Sequence, residues 1–203
     1  MMNHEFRMVE AMLERRSIRR YRPDPVPEEI IEQLLTAATW APSAHNRQPW
    51  RFVVMTRSET KHRLAMAMGH RLRRDLMADN VPQEIIDKDV GRSYQRITNA
   101  PLLILLCLTM ADMDSYPDAK RQQNEWIMAS QSTAMAGQNL LLATHALGLG
   151  GCWMCAPLFC PDVVARTLDL PAGWQPQALI TIGYPAETKT KTRQPLASKV
   201  IER

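Results

Sequence analysis

Apolar residues recur at helical spacing at Phe6, Met8, Val9, Met12 and Leu13, and prolines at 23, 25 and 27 then break the chain. A second helix opens with Glu28 and Glu29 in its first turn and runs to about Trp40. After a loop at Ala41–Pro49, the β-branched and aromatic run Trp50–Met55 predicts a strand, and a helix follows from Ser58 to about Leu76 with Ser58 as its N-cap. The charged stretch 77–98 predicts another helix starting near Pro82. Pro101–Leu108 is an uninterrupted apolar run, which predicts a strand covered on both faces in the middle of a sheet.

Residues 110–123 read as a polar loop, and Asn124–Leu147 as a long helix apolar nearly all round, which other helices or a second subunit must bury. Its histidine, His145, is expected in the core. A glycine cluster at 148–151 leads into a short strand, Cys152–Cys155, then a helix at Pro161–Leu168 and a last strand at Gln177–Tyr184. Residues 185–203 form a Lys/Thr/Pro-rich arm with no core of its own. Strands separated by helices, with an arm that must lean on something, predict an α+β or α/β sandwich that dimerises. With no repeats and no shift in composition, residues 1–203 are expected to form one domain.

Composition narrows the class. The chain has 203 residues, 45% apolar and 23% charged, the balance of an ordinary globular protein. Its net charge of +4 is too small for a nucleic-acid protein unless the excess is concentrated. Charged residues interrupt Met1–Arg16, so no secretory signal is expected there. The longest stretch without Asp, Glu, Lys or Arg, Trp126–Pro161, is broken by polar residues and glycines and reads as core rather than as a membrane span. The four cysteines in a chain this long point to a reducing cytoplasm rather than to a disulfide framework.

Three segments could carry chemistry. Within Arg15-Arg-Ser-Ile-Arg-Arg-Tyr-Arg22, four arginines and a serine fall within six residues, a set that suits a phosphate but also reads as a solvated face or a nucleic-acid patch. Pro42-Ser-Ala-His-Asn-Arg-Gln-Pro-Trp50 offers amides and a hydroxyl to a flat heteroaromatic edge, or is simply a well-made loop. Lys191 and Arg193 are spaced to point the same way from an extended arm, or belong to a solvated tail. Gly148-Leu-Gly-Gly-Cys-Trp153 fails as a dinucleotide fingerprint because it precedes a strand and has tryptophan at the third glycine position. Cys152 and Cys155 match a redox or zinc spacing, but in a strand they face opposite sides, which favours structural cysteines; no metal site is expected.

Taken together, Arg15-Arg-Ser-Ile-Arg19, Ala41–Trp50, Gly148-Leu-Gly-Gly151, Ile182-Gly-Tyr-Pro185 and Lys191-Thr-Arg-Gln-Pro-Leu196 resemble the FMN-dependent nitroreductase superfamily. The resemblance implies an α+β three-layer sandwich, its central sheet mainly antiparallel and flanked by helices, in an entwined homodimer with FMN at the subunit interface. It implies that Arg15, Arg16, Ser17 and Arg19 hold the phosphate and ribityl chain, helped by Lys191 and Arg193. It places Pro42, Ser43, Ala44, Asn46 and Gln48 of the partner subunit along the flavin ring, with Leu149, Gly150 and Gly151 near the ring's reactive edge. The asparagine and lysine that such proteins often carry on the third helix have no counterpart, although Arg71 or Arg74 could substitute.

The implied reaction is ping-pong hydride transfer: NADPH or NADH reduces FMN, and an electron-poor nitro, quinone or enone acceptor then takes the same slot. It names no catalytic residue. The segment Gly150–Pro161 and the ending near Pro185 are similar to a narrower group, the reductase domain associated with the γ-glutamyl ligase of the deazaflavin coenzyme F-420, whose substrate would be the dehydro form of the coenzyme precursor. A flavin-binding module without turnover is the other alternative. Neither a nucleic acid nor a membrane is expected as partner.

Overall fold

The computed structural model describes residues 4–203. Helix α1 (His4–Glu14) is followed by α2 (Glu28–Thr39), β1 (Trp50–Met55), α3 (Ser58–Ala78), α4 (Gln83–Thr98) and β2 (Leu102–Leu108). The long α5 (Ala119–Ala146), β3 (Gly150–Met154), α6 (Pro161–Leu168) and β4 (Gln175–Gly183) complete the set. The four strands form one sheet in the order β1-β2-β4-β3, and every neighbouring pair is antiparallel.

The sheet separates two helical layers, as its side-chain alternation requires. Leu102, Ile104 and Leu106 of β2 point to the face covered by α2 and α5, where Leu34, Ala38, Ala136 and Leu140 are buried. Leu103, Leu105 and Cys107 point to the opposite face, against Leu64, Ala65 and Met68 of α3, Ile97 of α4 and Val164 of α6. All seven residues of β2 are buried, which explains an apolar run without alternation. Lys61 is buried beside this core; its ammonium donates to the carbonyls of Ala100 and Pro101 at 2.8 and 3.2 Å and so fixes the turn into β2. The three-layer α+β arrangement agrees with the sequence reading.

Several boundaries differ from that reading. Ser58 is not the N-cap of α3: the Lys61 N–H donates to the Arg57 carbonyl at 3.2 Å, so Arg57 occupies the cap position, and no side chain caps this end. Helix α5 begins at Ala119 rather than Asn124, because the Asp118 carboxylate accepts from the Arg121 N–H at 2.9 Å and opens the helix with a polar turn. Strand β3 starts at Gly150 because Gly150 and Gly151 pair with Gly183 and Ile182. One side of α5 packs on the sheet and α2, while Ile127, Met135 and Leu147 on the helix and its cap are exposed. Among the described residues no helix is long and apolar enough to cross a membrane.

Leu105 is fully buried in the middle of β2. Leu105→Ala is expected to lower unfolding free energy by about 2–5 kcal/mol through lost burial and the cavity left behind. Urea denaturation followed by circular dichroism checks this, and a loss below 1 kcal/mol would contradict this core assignment.

Candidate functional site

The arginine-rich segment leaves α1 and runs extended past the start of β3. The Ile18 N–H donates to the Gly151 carbonyl at 3.1 Å, forming a parallel bridge at Ser17 and Gly151. Farther on, the Arg22 N–H donates to Tyr184 O at 2.8 Å and the Ala186 N–H to Arg20 O at 3.0 Å, while the Arg22 guanidinium lies 5.0 Å from the Tyr184 ring centre. This close approach requires glycine at 150, since a Cβ there would stand 2.7 Å from Ile18 Cβ. Tyr21 anchors the segment from below: its hydroxyl lies 2.7 Å from Thr181 Oγ1 and also meets the Ile18 carbonyl. Burial keeps that phenol protonated far above its ordinary range, against the opposing hydrogen bond from Thr181.

The result is a cationic cavity of about 330 Å³ made from both ends of the chain. Arg15, Arg16, Ser17 and Arg19 line it from one side, and Lys189, Lys191 and Arg193 of the arm from the other. Burial and then the neighbouring Arg193 and Arg16 lower the pKa of Arg15. An arginine does not release its proton under ordinary conditions, so this crowding acts as a demand for an anion. Arg16 Nε is buried without a hydrogen-bond partner. The nearby carboxylate of Glu187 is already engaged by the Arg19 N–H at 2.8 Å and Lys189 Nζ at 3.1 Å.

A second cavity of about 290 Å³ adjoins the first and shares Arg15, Arg16 and Lys189 with it. Leu149, Gly150 and Gly151 line it, as does His145, which is half-buried here rather than enclosed in the core: α5 ends at Ala146, so its last turn faces the cleft instead of the sheet.

The Pro42–Gln48 loop lies elsewhere. Its shape is fixed by the Ala44 N–H donating to Ser132 Oγ on α5 at 3.2 Å and the Gln48 N–H donating to Ser43 Oγ at 3.1 Å. Gln48 Nε2 donates to Asn46 Oδ1 at 3.3 Å. His45, Asn46 and Gln48 all have positive φ, near 50°, which is unfavourable for the histidine and glutamine in particular. Pro42, Asn46 and Gln48 are exposed, with Ser43 and Ala44 half-buried. From Ser132 to His145 is about 20 Å of helix at 1.5 Å per residue, so within one chain this loop and the cationic cavity do not meet.

This geometry has counterparts. Residues 12–184 match the model of the nitroreductase family. The chain belongs to that family. It is 31% identical over 182 residues to a protein of Methanothermobacter thermautotrophicus described as an NADH dehydrogenase/NAD(P)H nitroreductase, covering 89% of this chain and 78% of that one. It is 33% identical over 181 residues to the 5,6-dimethylbenzimidazole synthase of Rhodospirillum rubrum, covering 85% and 79%. Among solved structures, a protein of Desulfovibrio desulfuricans described as a nitroreductase in complex with FMN superposes with a TM-score of 0.76 at 29% identity, over 97% of this chain and 96% of that one.

Within this nitroreductase-family chain, α3 does not supply the cation expected of Arg71 or Arg74. Arg71 pairs with Asp75 and Asp162, each at 2.9 Å, and Arg74 lies 3.4 Å from Asp75. Arg92 and Arg96 of α4 instead share a cavity with Arg19. Sequence reading passed over both, although their spacing of four residues puts them on one helix face. It also passed over Lys189. Cys152 is buried and Cys155 exposed beyond the strand end; both are free thiols, and no group of three metal-ligating side chains occurs among the described residues.

Gly150→Ala is expected to push Ile18 off the edge of β3. The Ile18 amide should then exchange with deuterium at least tenfold faster, as hydrogen-exchange mass spectrometry can measure; unchanged protection would contradict the close approach.

Proposed function

We propose that this nitroreductase-family protein is an FMN-dependent oxidoreductase that uses NADH or NADPH to reduce an electron-poor organic acceptor of nitro, quinone or enone type. The observation that carries this reading is the meeting of six cationic side chains and Ser17 in one cavity, with the buried Arg16 Nε lacking a partner. A phosphomonoester carries about −1.5 to −2 charges and three strong acceptor oxygens, which fits that donor set. Leu149, Gly150 and Gly151 line the adjoining cavity, where a flat ring would lie, and the match to the FMN-bound relative supports the same assignment.

In this reading Arg15, Arg16, Ser17 and Arg19 hold the phosphate and ribityl chain, with Lys191 and Arg193 closing over the phosphate. Backbone groups of Leu149, Gly150 and Gly151 lie along the ring, and the fixed charge of Arg19 favours negative charge developing near it. When bound, FMN supplies the hydride chemistry, accepting from the nicotinamide and donating to the acceptor. No side chain of the chain is required to move a proton.

The ring's other wall would come from the partner subunit's Pro42, Ser43, Ala44, Asn46 and Gln48, in a homodimer whose subunits each use residues 1–203 as a single FMN-binding domain. The exposed Trp40, at 82%, and the exposed Ile127 and Met135 support an interface on the α2 and α5 side. So do Leu196 and Ile201 on an otherwise polar arm. The cytoplasm supplies the nicotinamide and keeps the thiols reduced. A second reading, reduction of the dehydro form of the F-420 precursor, rests on the sequence resemblance of the segment from Gly150 to Pro161 alone.

Purified protein is expected to carry a flavin absorbance band that bleaches anaerobically on addition of NADPH or NADH. A band that neither nucleotide bleaches would instead mean a flavin-binding module. Arg16→Ala with Arg19→Ala should reduce flavin content by at least tenfold at equal protein while circular dichroism is unchanged; full flavin occupancy would rule out the phosphate assignment. Light scattering should give twice the monomer mass, and a monomeric species that retains flavin would overturn the shared site.

A further inference from the structure

The chain leaves β4 and enters the C-terminal arm through two ties to the arginine-rich segment. The Ala186 N–H donates to Arg20 O at 3.0 Å, and Glu187 Oε1 accepts from the Arg19 N–H at 2.8 Å. The Glu187 side chain is only 12% exposed, and its other oxygen lies 3.1 Å from Lys189 Nζ. Past this point the ties stop. Every residue from 188 to 203 is exposed, and among the described residues each hydrogen bond or ion pair they make has both partners within the arm, residues 185–203.

This untied stretch is nevertheless patterned. Thr188-Lys-Thr-Lys-Thr-Arg193 carries a cation at every second position and belongs to no helix or strand. In an extended chain that spacing sets Lys189, Lys191 and Arg193 on one side and the threonines on the other. The wall of the cationic cavity agrees, since it contains all three cations and none of the three threonines. Opposite them stand Arg15, Arg16 and Arg19, and burial followed by Arg193 lowers the pKa of Arg15. Like charges on the two sides repel, and a dianion between them reverses the sign of the interaction. A segment with an exposed backbone and no tertiary ties has little local stability of its own, so that sign decides where it lies.

We propose that residues 188–193 form a strap that closes over a phosphate dianion and opens without it, and that Glu187 is its latch. Glu187 is a positioning residue: it acts through Lys189 and the Arg19 backbone and touches no cofactor. The inference rests on the FMN reading only for which phosphate is bound, because FMN and free inorganic phosphate present the same group to the strap. It concerns a different part of the arm from Leu196 and Ile201. Its functional consequence is that cofactor retention is governed by opening of the strap, and so appears in the rate at which the cofactor leaves.

The test compares flavin-free protein, protein loaded with FMN, and protein saturated with riboflavin, which has the same ring and ribityl chain without the phosphate. Each is digested briefly with trypsin, and cleavage after Lys189, Lys191 and Arg193 is timed by mass spectrometry. FMN should slow these cleavages at least tenfold, whereas riboflavin should leave them as fast as in the flavin-free protein. Inorganic phosphate, set against chloride at equal ionic strength, should slow them as well. Glu187→Ala should release FMN at least tenfold faster, followed by flavin fluorescence on dilution, with the riboflavin release rate and circular dichroism unchanged. Glu187→Gln keeps an acceptor for the Arg19 N–H and should restore part of the retention. Lys189→Gln tests the latch from its other side if Glu187→Ala does not fold.

Cleavage that neither FMN nor inorganic phosphate slows would overturn the strap, and protection by riboflavin equal to that by FMN would overturn its dependence on phosphate. An unchanged FMN release rate in both Glu187→Ala and Lys189→Gln would overturn the latch. Protein that takes up no flavin but is protected by inorganic phosphate would instead overturn the oxidoreductase reading and leave the strap standing.

Discussion

The architecture of the site depends on one close contact, the extended segment at Ser17 and Ile18 lying against β3 where Gly150 has no side chain to hold it away. That contact brings the first cationic cluster to the end of the sheet at which β4 releases the C-terminal arm. Residues more than 170 positions apart in sequence, Arg15 and Arg193, thereby line one cavity. The cost is mutual repulsion among like charges, which Glu187 answers in part. Folding alone thus assembles a field that an anion relieves, and the affinity for such a ligand includes the repulsion removed on binding.

The two sides of the sheet divide the work. On the α5 side the packing is aliphatic and continuous, with buried threonine at 144 satisfied by the helix itself through the Leu140 carbonyl. On the α3 and α4 side the core gives way, beyond Met68 and Met154, to cavities whose walls mix arginines with apolar residues. Arg19 lines both cationic cavities and joins them.

Much of this is legible in the sequence. Strand β2 announced itself through an unbroken apolar run, and the arginine cluster and Lys191 with Arg193 were visible as local concentrations of charge. What stayed hidden depended on tertiary neighbours. Arg92 and Arg96 sit on a helix rich in Asp, Lys and Gln, where charge normally means solvent, and only the approach of Arg19 from a distant segment gives them another meaning. The start of α5 was hidden because its first turn is polar and lacks apolar periodicity, although the Asp118 cap was there to be read. His145 read as core because its neighbours are apolar, whereas its position one residue from the end of α5 turns it toward the cleft.

The separation of the Pro42–Gln48 loop from the cationic cavity by about 20 Å of α5 has a genetic consequence. In a two-fold dimer of the proposed kind, each site takes its cradle from one subunit and its loop from the other. A chain damaged only in the cradle and a chain damaged only in the loop are each inactive as homodimers. Paired in one heterodimer they put both defects into one site and leave the other intact, so two null alleles of this gene would complement each other inside a single molecule.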